Sequence, residues 1–287
     1  TSSKLNNRNK AFNSDVNQAM FYYMDKYVAL SYKSSLQLYT FSFPSSASSK
    51  SSKSYSASNS NNELKRLYNE LNSSGTYQCV HVFDHGASGN SNSNSNNSNS
   101  STTANSRVTA FNCMNTVQSP TIISATSDKR IHILDVASGQ IGCSIGGSDG
   151  LSDGQYPHEK SIHHIAIPHG PTNHTSTITP GEYTMFATSS IDNSICLYDI
   201  RAPTCVARYT NHINRRDPIK CHFSPCLRYL ATGSEDRSVR IVDIRQSFSE
   251  LGKINHIHKD TVSDVVYNPL FPQLASCSYD GTIKFYN

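Results

Sequence analysis

Twelve histidines, eight cysteines and four recurring turn aspartates are the residues of this 287-residue chain that could do chemistry. Five histidines crowd one stretch, His158, His163, His164, His169 and His174, a density that would suit a metal ion. His163 and His164 are adjacent, and neighbours in a regular strand point to opposite faces. They therefore do not share an ion, and no metal is expected. The cysteines never form a C-x-x-C pair, and several fall in strand-like runs where a thiol acts as a small apolar group. Reduced core cysteines are the expectation. The aspartates are Asp128, Asp192, Asp236 and Asp280, at intervals of 64, 44 and 44 residues. No phosphate-binding G-x-x-x-x-G-K-[ST], no H-E-x-x-H and no nucleophile elbow accompanies them, so neither a catalytic residue nor a cofactor is expected.

Each aspartate occupies the same kind of element. LRYLATGSEDRSVRIVDIR (227–245) is two short apolar runs folded around a tight polar turn that carries Asp236. TIISATSDKRIHILD, MFATSSIDNSICLYD and QLASCSYDGTIKFYN repeat the figure with Asp128, Asp192 and Asp280. A period of about 40–45 residues made of short strands is the signature of a propeller blade. The 64-residue interval is the same unit enlarged by loops at 146–160 and 168–182. Before each hairpin comes a strand with apolar residues at i, i+3 and i+5, such as Ile162/Ile165/Ile167 and Val262/Val265/Tyr267. After it comes a fourth strand, as at Gln140–Ile145, Thr204–Tyr209 and Leu251–Asn255. A degenerate unit opens the chain, with up to three strands in 19–41, helical character in 62–72 and an outer strand in 76–83. The Ser/Asn tracts 44–62 and 86–106 hold almost nothing that could bury apolar area, and they are expected to be disordered insertions.

These units resemble WD repeats: a Gly-His-like step before the first strand, a Ser or Thr in the second, the turn Asp, and a third strand ending in aromatic-Asp. The resemblance implies an all-β, WD-repeat β-propeller with about five four-stranded antiparallel blades, at about 19–83, 107–146, 158–210, 212–256 and 258–287. It also implies that His158 and Asp192, His212 and Asp236, and His258 and Asp280 form buried structural pairs, whereas Asp128 has no obvious histidine. The sequence departs from the pattern in having no Trp: Leu134, Tyr198, Val242 and Tyr286 stand where the indole belongs. The polar network is therefore expected to be incomplete in every blade. The last unit ends on its third strand, which makes the chain the expected C-terminal part of a larger, about seven-bladed ring whose first blades lie upstream of Thr1.

A net charge of +4 is too mild to argue for nucleic acid, and no apolar run reaches the length of a membrane span. An intracellular protein, cytoplasmic or nuclear, is expected. The fold implies a non-enzymatic scaffold for other proteins, with function on its loops. On the loop face, His212, Arg215, Arg216 and Lys220 form a small basic cluster suited to an acidic partner. The alternative is a substrate receptor of a cullin–RING ubiquitin ligase. FATSSIDNSICLYDIR and LATGSEDRSVRIVDIR resemble the WD-box variant, with Arg201 and Arg245 as the guanidiniums that would hold the adaptor.

Overall fold

Short runs rich in Val, Ile, Leu, Tyr and Thr, separated by polar turns, fold into nineteen strands among the described residues, with no α-helix. The computed structural model describes residues 15–22, 26–42, 76–85, 106–114, 120–146, 158–168, 184–246, 249–256 and 258–287. The 44–62 tract, the 62–72 segment, all but Ser106 of the 86–106 tract, and His169 and His174 lie outside the described residues.

The strands form five antiparallel sheets, each in chain order. The first holds β1 (Val16–Tyr22), β2 (Tyr27–Tyr32), β3 (Ser35–Ser42) and β4 (Thr76–Asp84). The second holds β5 (Val108–Cys113), β6 (Thr121–Thr126), β7 (Ile131–Asp135) and β8 (Gln140–Ile145). The third holds β9 (Ile162–Ala166), β10 (Met185–Ser190), β11 (Ser194–Asp199) and β12 (Ala202–Tyr209). The fourth holds β13 (Cys221–Phe223), β14 (Tyr229–Thr232), β15 (Val239–Asp243) and β16 (Ser249–Ile254). The fifth has three strands, β17 (Val262–Tyr267), β18 (Leu274–Ser278) and β19 (Ile283–Tyr286). The first strands of consecutive sheets, β1, β5, β9, β13 and β17, lie side by side, so the sheets converge there like blades on a hub.

A bulge explains the i, i+3, i+5 spacing. The register of the first strand slips by one residue near its start in four sheets: between Val16 and Gln18, Val108 and Ala110, Ile162 and His164, and Val262 and Asp264. The extra residue reverses the alternation, so position i joins i+3 and i+5 on one face. Ile162, Ile165 and Ile167 accordingly share one core. The same slip corrects the expectation for His163 and His164. Both reach toward the fourth sheet, His163 through Nε2 to the Ile219 carbonyl (2.7 Å) and His164 through its ring, 5.3 Å from that of His222. Among the described residues no group of three or more His, Cys, Asp or Glu is placed to hold a metal ion.

Each sheet has a forward face, toward the next sheet in the chain, and a rear face, toward the one before. Four cores fill the gaps. Leu36 and Leu38 of the first sheet pack on Phe111, Ile122 and Leu134 of the second. Ile131 and Ile133 pack on Ile165, Phe186 and Tyr198 of the third, and Ile195 and Leu197 on Phe223, Leu230 and Val242 of the fourth. Ala231 and Val239 pack on Val262, Val265 and Leu274 of the fifth. The last gap is so narrow that a Cβ on Gly233 would sit 2.1 Å from the Val262 carbonyl oxygen. Each hairpin turn places a left-handed residue directly after its aspartate: Lys129 (φ 68°), Asn193 (64°), Arg237 (66°) and Gly281 (76°). Only the last is glycine, the residue for which that conformation is unstrained.

Candidate functional site: the buried polar clamps and the loop face

The turn aspartates sit where the hairpin meets the segment leading into the next first strand. In the third sheet, Asp192 accepts from the Glu159 amide (2.8 Å) and the Ser194 amide (3.0 Å) and lies 3.2 Å from His158 Nδ1. His158 Nε2 is 2.7 Å from the Thr188 hydroxyl. A carboxylate facing Nδ1 places the proton there, so Nε2 accepts the Thr188 proton. Burial works to raise the Asp192 carboxyl, but the His158 ring and the Ser194 hydroxyl outweigh it and hold the group well below the usual carboxylate range.

The fifth sheet repeats this arrangement and completes it. His258 bridges Asp280 (3.1 Å) and Ser276 (2.8 Å), and the Ser276 hydroxyl reaches the Tyr286 hydroxyl at 2.9 Å. Tyr286 thus does what the absent indole N–H would do. The expectation of an incomplete network in every blade is wrong here, because a phenol hydroxyl at that position reaches the same serine.

The fourth sheet differs. His212 does not touch Asp236; it is buried, stacks on Tyr209 (5.5 Å, 7°), and has no hydrogen-bond partner on either ring nitrogen among the described residues. Asp236 pairs instead with Arg240 (2.7 Å) and Lys253 (2.9 Å) and accepts from the Ser238 hydroxyl and amide. Burial would raise its carboxyl, but these donors, Lys253 foremost, bring it well below the usual range. The expected His212–Asp236 pair is corrected by one residue. Arg240 faces Thr232 across the hairpin, where the third sheet has Cys196 facing Thr188. A long cation there takes the carboxylate that a thiol leaves to histidine. Burial, reinforced by Arg240, lowers the His212 ring to about 4.

The second sheet holds a histidine that the sequence reading missed. His85 Nε2 is 2.8 Å from the Ser124 hydroxyl, and its ring lies 4.8 Å from His132. The two partners are 39 residues apart, against 18 for His258 and Ser276, because the 86–106 tract intervenes. Subtracting that tract restores the spacing, and this was the available signal. Asp128 turns to the Thr126 hydroxyl and to Arg130 (3.5 Å).

On the loop face the expected basic cluster divides. His212 is buried, and Lys220 is held by Asp264 at 3.1 Å. Arg215 and Arg216 are exposed, on a loop fixed by Glu235, whose carboxylate accepts their two amides (2.6 Å each) and that of Asp217 (3.3 Å). Burial would raise Glu235, but the three amides hold it below its ordinary value. On the opposite end, Arg201 forks onto Asp199 (3.0 and 2.6 Å), whereas Asp243 takes the Arg228 guanidinium (3.0 Å) and the backbone amide of Arg245 (2.9 Å).

Residues 203–243 and 250–287 match the family model of the WD domain, G-beta repeat. Each match starts in an outer strand and runs through the next hairpin, β12 to β15 and β16 to β19. The matches support the WD-repeat β-propeller family, whose repeats in general form protein-interaction scaffolds without catalytic activity.

Proposed function

We propose that the chain is an interaction platform whose loop face engages an acidic protein partner through Arg215 and Arg216. The supporting observation is the Glu235 carboxylate beneath them. It fixes three consecutive amides, so the loop is ordered before binding and the two arginines lose little further backbone freedom. Arg216 is only loosely neutralised by Asp217 at 3.3 Å and remains exposed. The segments MDKYVALS, ELKRLY, HFSPCLRYLATGSEDR and YNPLFPQLASCSYDGTIKFY resemble the C-terminal part of WD repeat-containing protein 27, which suits a scaffold role. The test is affinity purification with Arg215→Glu/Arg216→Glu beside the wild type, followed by titration of the partners lost with increasing salt. Loss of a set of acidic partners, with salt-sensitive binding, is the expected result. An unchanged partner list refutes the reading.

The second reading, docking to a ubiquitin-ligase adaptor, is favoured by one observation. Arg201 stays exposed although it forks onto Asp199, so the pair could re-form across an interface. Arg201→Ala that leaves adaptor co-purification unchanged, or a wild type that captures no adaptor, ends that reading.

A further inference from the structure

We infer that Cys205 is a site of oxidation by peroxides and that Cys196 is the thiol that resolves it into a reversible disulfide. Both residues are thiols in the structure, but they sit differently. Cys205 is exposed on β12, the outer strand of the third sheet, whereas Cys196 is 0% exposed on β11. A bulge brings them together. Leu197 pairs with Ala207 and Tyr198 with Cys205, so Val206 is the extra residue. The alternation reverses there, which turns Cys205 to the face of β11 that carries Cys196 and Tyr198. On that face the two thiols are hydrogen-bonded to each other, and Arg208 pairs across the strands with Cys196. The Cys205 Sγ also lies 3.3 Å from the Ala207 carbonyl oxygen.

The chain contains its own comparison. Cys79 of β4 is exposed and sits in the same kind of bulge, opposite Tyr39 and followed by Val80 as the extra residue. Its Sγ is 3.6 Å from the His81 carbonyl oxygen, as Cys205 is placed against Ala207. Where β11 has Cys196, however, β3 has Gln37. Burial accordingly holds the Cys79 thiol above its ordinary value, although Tyr39 works against it. The Cys205 thiol is brought down to about 7, first by the Cys196 thiol that donates to it and then by Arg208, against the effect of burial. Cys196 is pushed up by the same hydrogen bond and by burial, so the exposed sulfur ionises first. The thiolate is the form that attacks.

With hydrogen peroxide, the Cys205 thiolate attacks one oxygen. An S–O bond forms, the O–O bond breaks, and the departing hydroxide takes a proton from the medium. The Cys196 sulfur then attacks the Cys205 sulfenic acid. The S–S bond forms, the S–O bond breaks, and the second hydroxide leaves with the Cys196 proton as water. Two thiols lose two electrons, and the peroxide is reduced to two waters. β12 is hydrogen-bonded on one side only, so it is free to shift and bring the sulfurs from contact to bonding distance.

The experiment is peptide mapping of the full chain, without reduction, after hydrogen peroxide at neutral pH. The expected product links the tryptic peptide 202–208 to the one ending at Arg201 through Cys205 and Cys196, and dithiothreitol reverses it. Iodoacetamide is expected to label Cys205 roughly fivefold or more faster than Cys79. Cys196→Ala, its fold checked by circular dichroism, is expected to slow that labelling and to leave the Cys205 sulfenic acid open to dimedone. Cys205→Ser is expected to leave Cys196 unoxidised. The wild-type map decides the matter even should the buried variant not fold. Cys205 oxidised with Cys196 unlinked, a disulfide joining Cys205 of two chains, or Cys79 labelled as fast as Cys205 overturns the inference. So does a Cys205→Ser chain whose Cys196 oxidises at the wild-type rate.

Discussion

His158 and His212 occupy matching places in consecutive sheets, and replacing each with leucine is expected to have opposite effects. His158→Leu removes a ring that touches Asp192, Ser194 and Thr188. Asp192 keeps a backbone donor on each carboxylate oxygen but loses its contact with the ring, and the buried Thr188 hydroxyl loses its partner. The expected cost is about 2–4 kcal/mol. His212→Leu breaks no hydrogen bond and removes two buried nitrogens that have none. The stacking on Tyr209 is lost, worth about 0.5–1.5 kcal/mol, while the desolvation cost of the nitrogens is recovered. Stability is expected to stay level or to rise by up to about 2 kcal/mol. Urea titration at pH 7.5 measures the two changes. If His212→Leu costs as much as His158→Leu, His212 has polar partners after all, and the assignment of Asp236 to Arg240 is wrong.

Asp236→Ala should destabilise by about 1–3 kcal/mol, because Arg240 and Lys253 lose their shared partner, whereas Lys33→Ala, in the turn without an aspartate, should shift a thermal melt little. Tyr286→Phe should cost about 0.5–1.5 kcal/mol, and Leu134→Phe, where no hydroxyl is involved, gives the comparison for simple packing change. Arg237→Gly should stabilise by about 0.5–1 kcal/mol, since the left-handed backbone at φ 66° suits glycine; a loss in the same melt would contradict the strain. Acid should act in two steps. His212 and His132 are lowered to about 4 by burial, so their share of stability is full above pH 6.5 and is lost as pH falls toward 4. Asp264, brought down to about 2 by His222 and Lys220 against the effect of burial, contributes above about pH 4 and loses its share as pH falls toward 2. His212→Leu should flatten the upper step, and an unchanged slope between pH 6.5 and 4 would refute that origin.

Local interactions write themselves into sequence, and the hairpins show it. A turn of fixed length with an aspartate and a left-handed residue recurs at intervals of 64, 44 and 44 residues, and the strands on either side follow from alternation. The i, i+3, i+5 spacing of the first strands was legible as well, although its cause, a bulge, was not. Sheet order and the burial of Ile131, Ile195 and Val239 also follow from those patterns, since an apolar face must be covered. The partners of the buried polar groups were decided elsewhere. His85 meets Ser124 across a 39-residue separation, Arg240 displaces His212 from Asp236, and the Tyr286 hydroxyl meets Ser276. Each outcome depends on which side chain is long enough to reach a carboxylate or hydroxyl once two elements have packed, a distance that spacing along the chain does not encode. The same holds for Ile283 and Phe285. Their residue types match buried positions in the other sheets, and only the tertiary arrangement shows that they are exposed among the described residues.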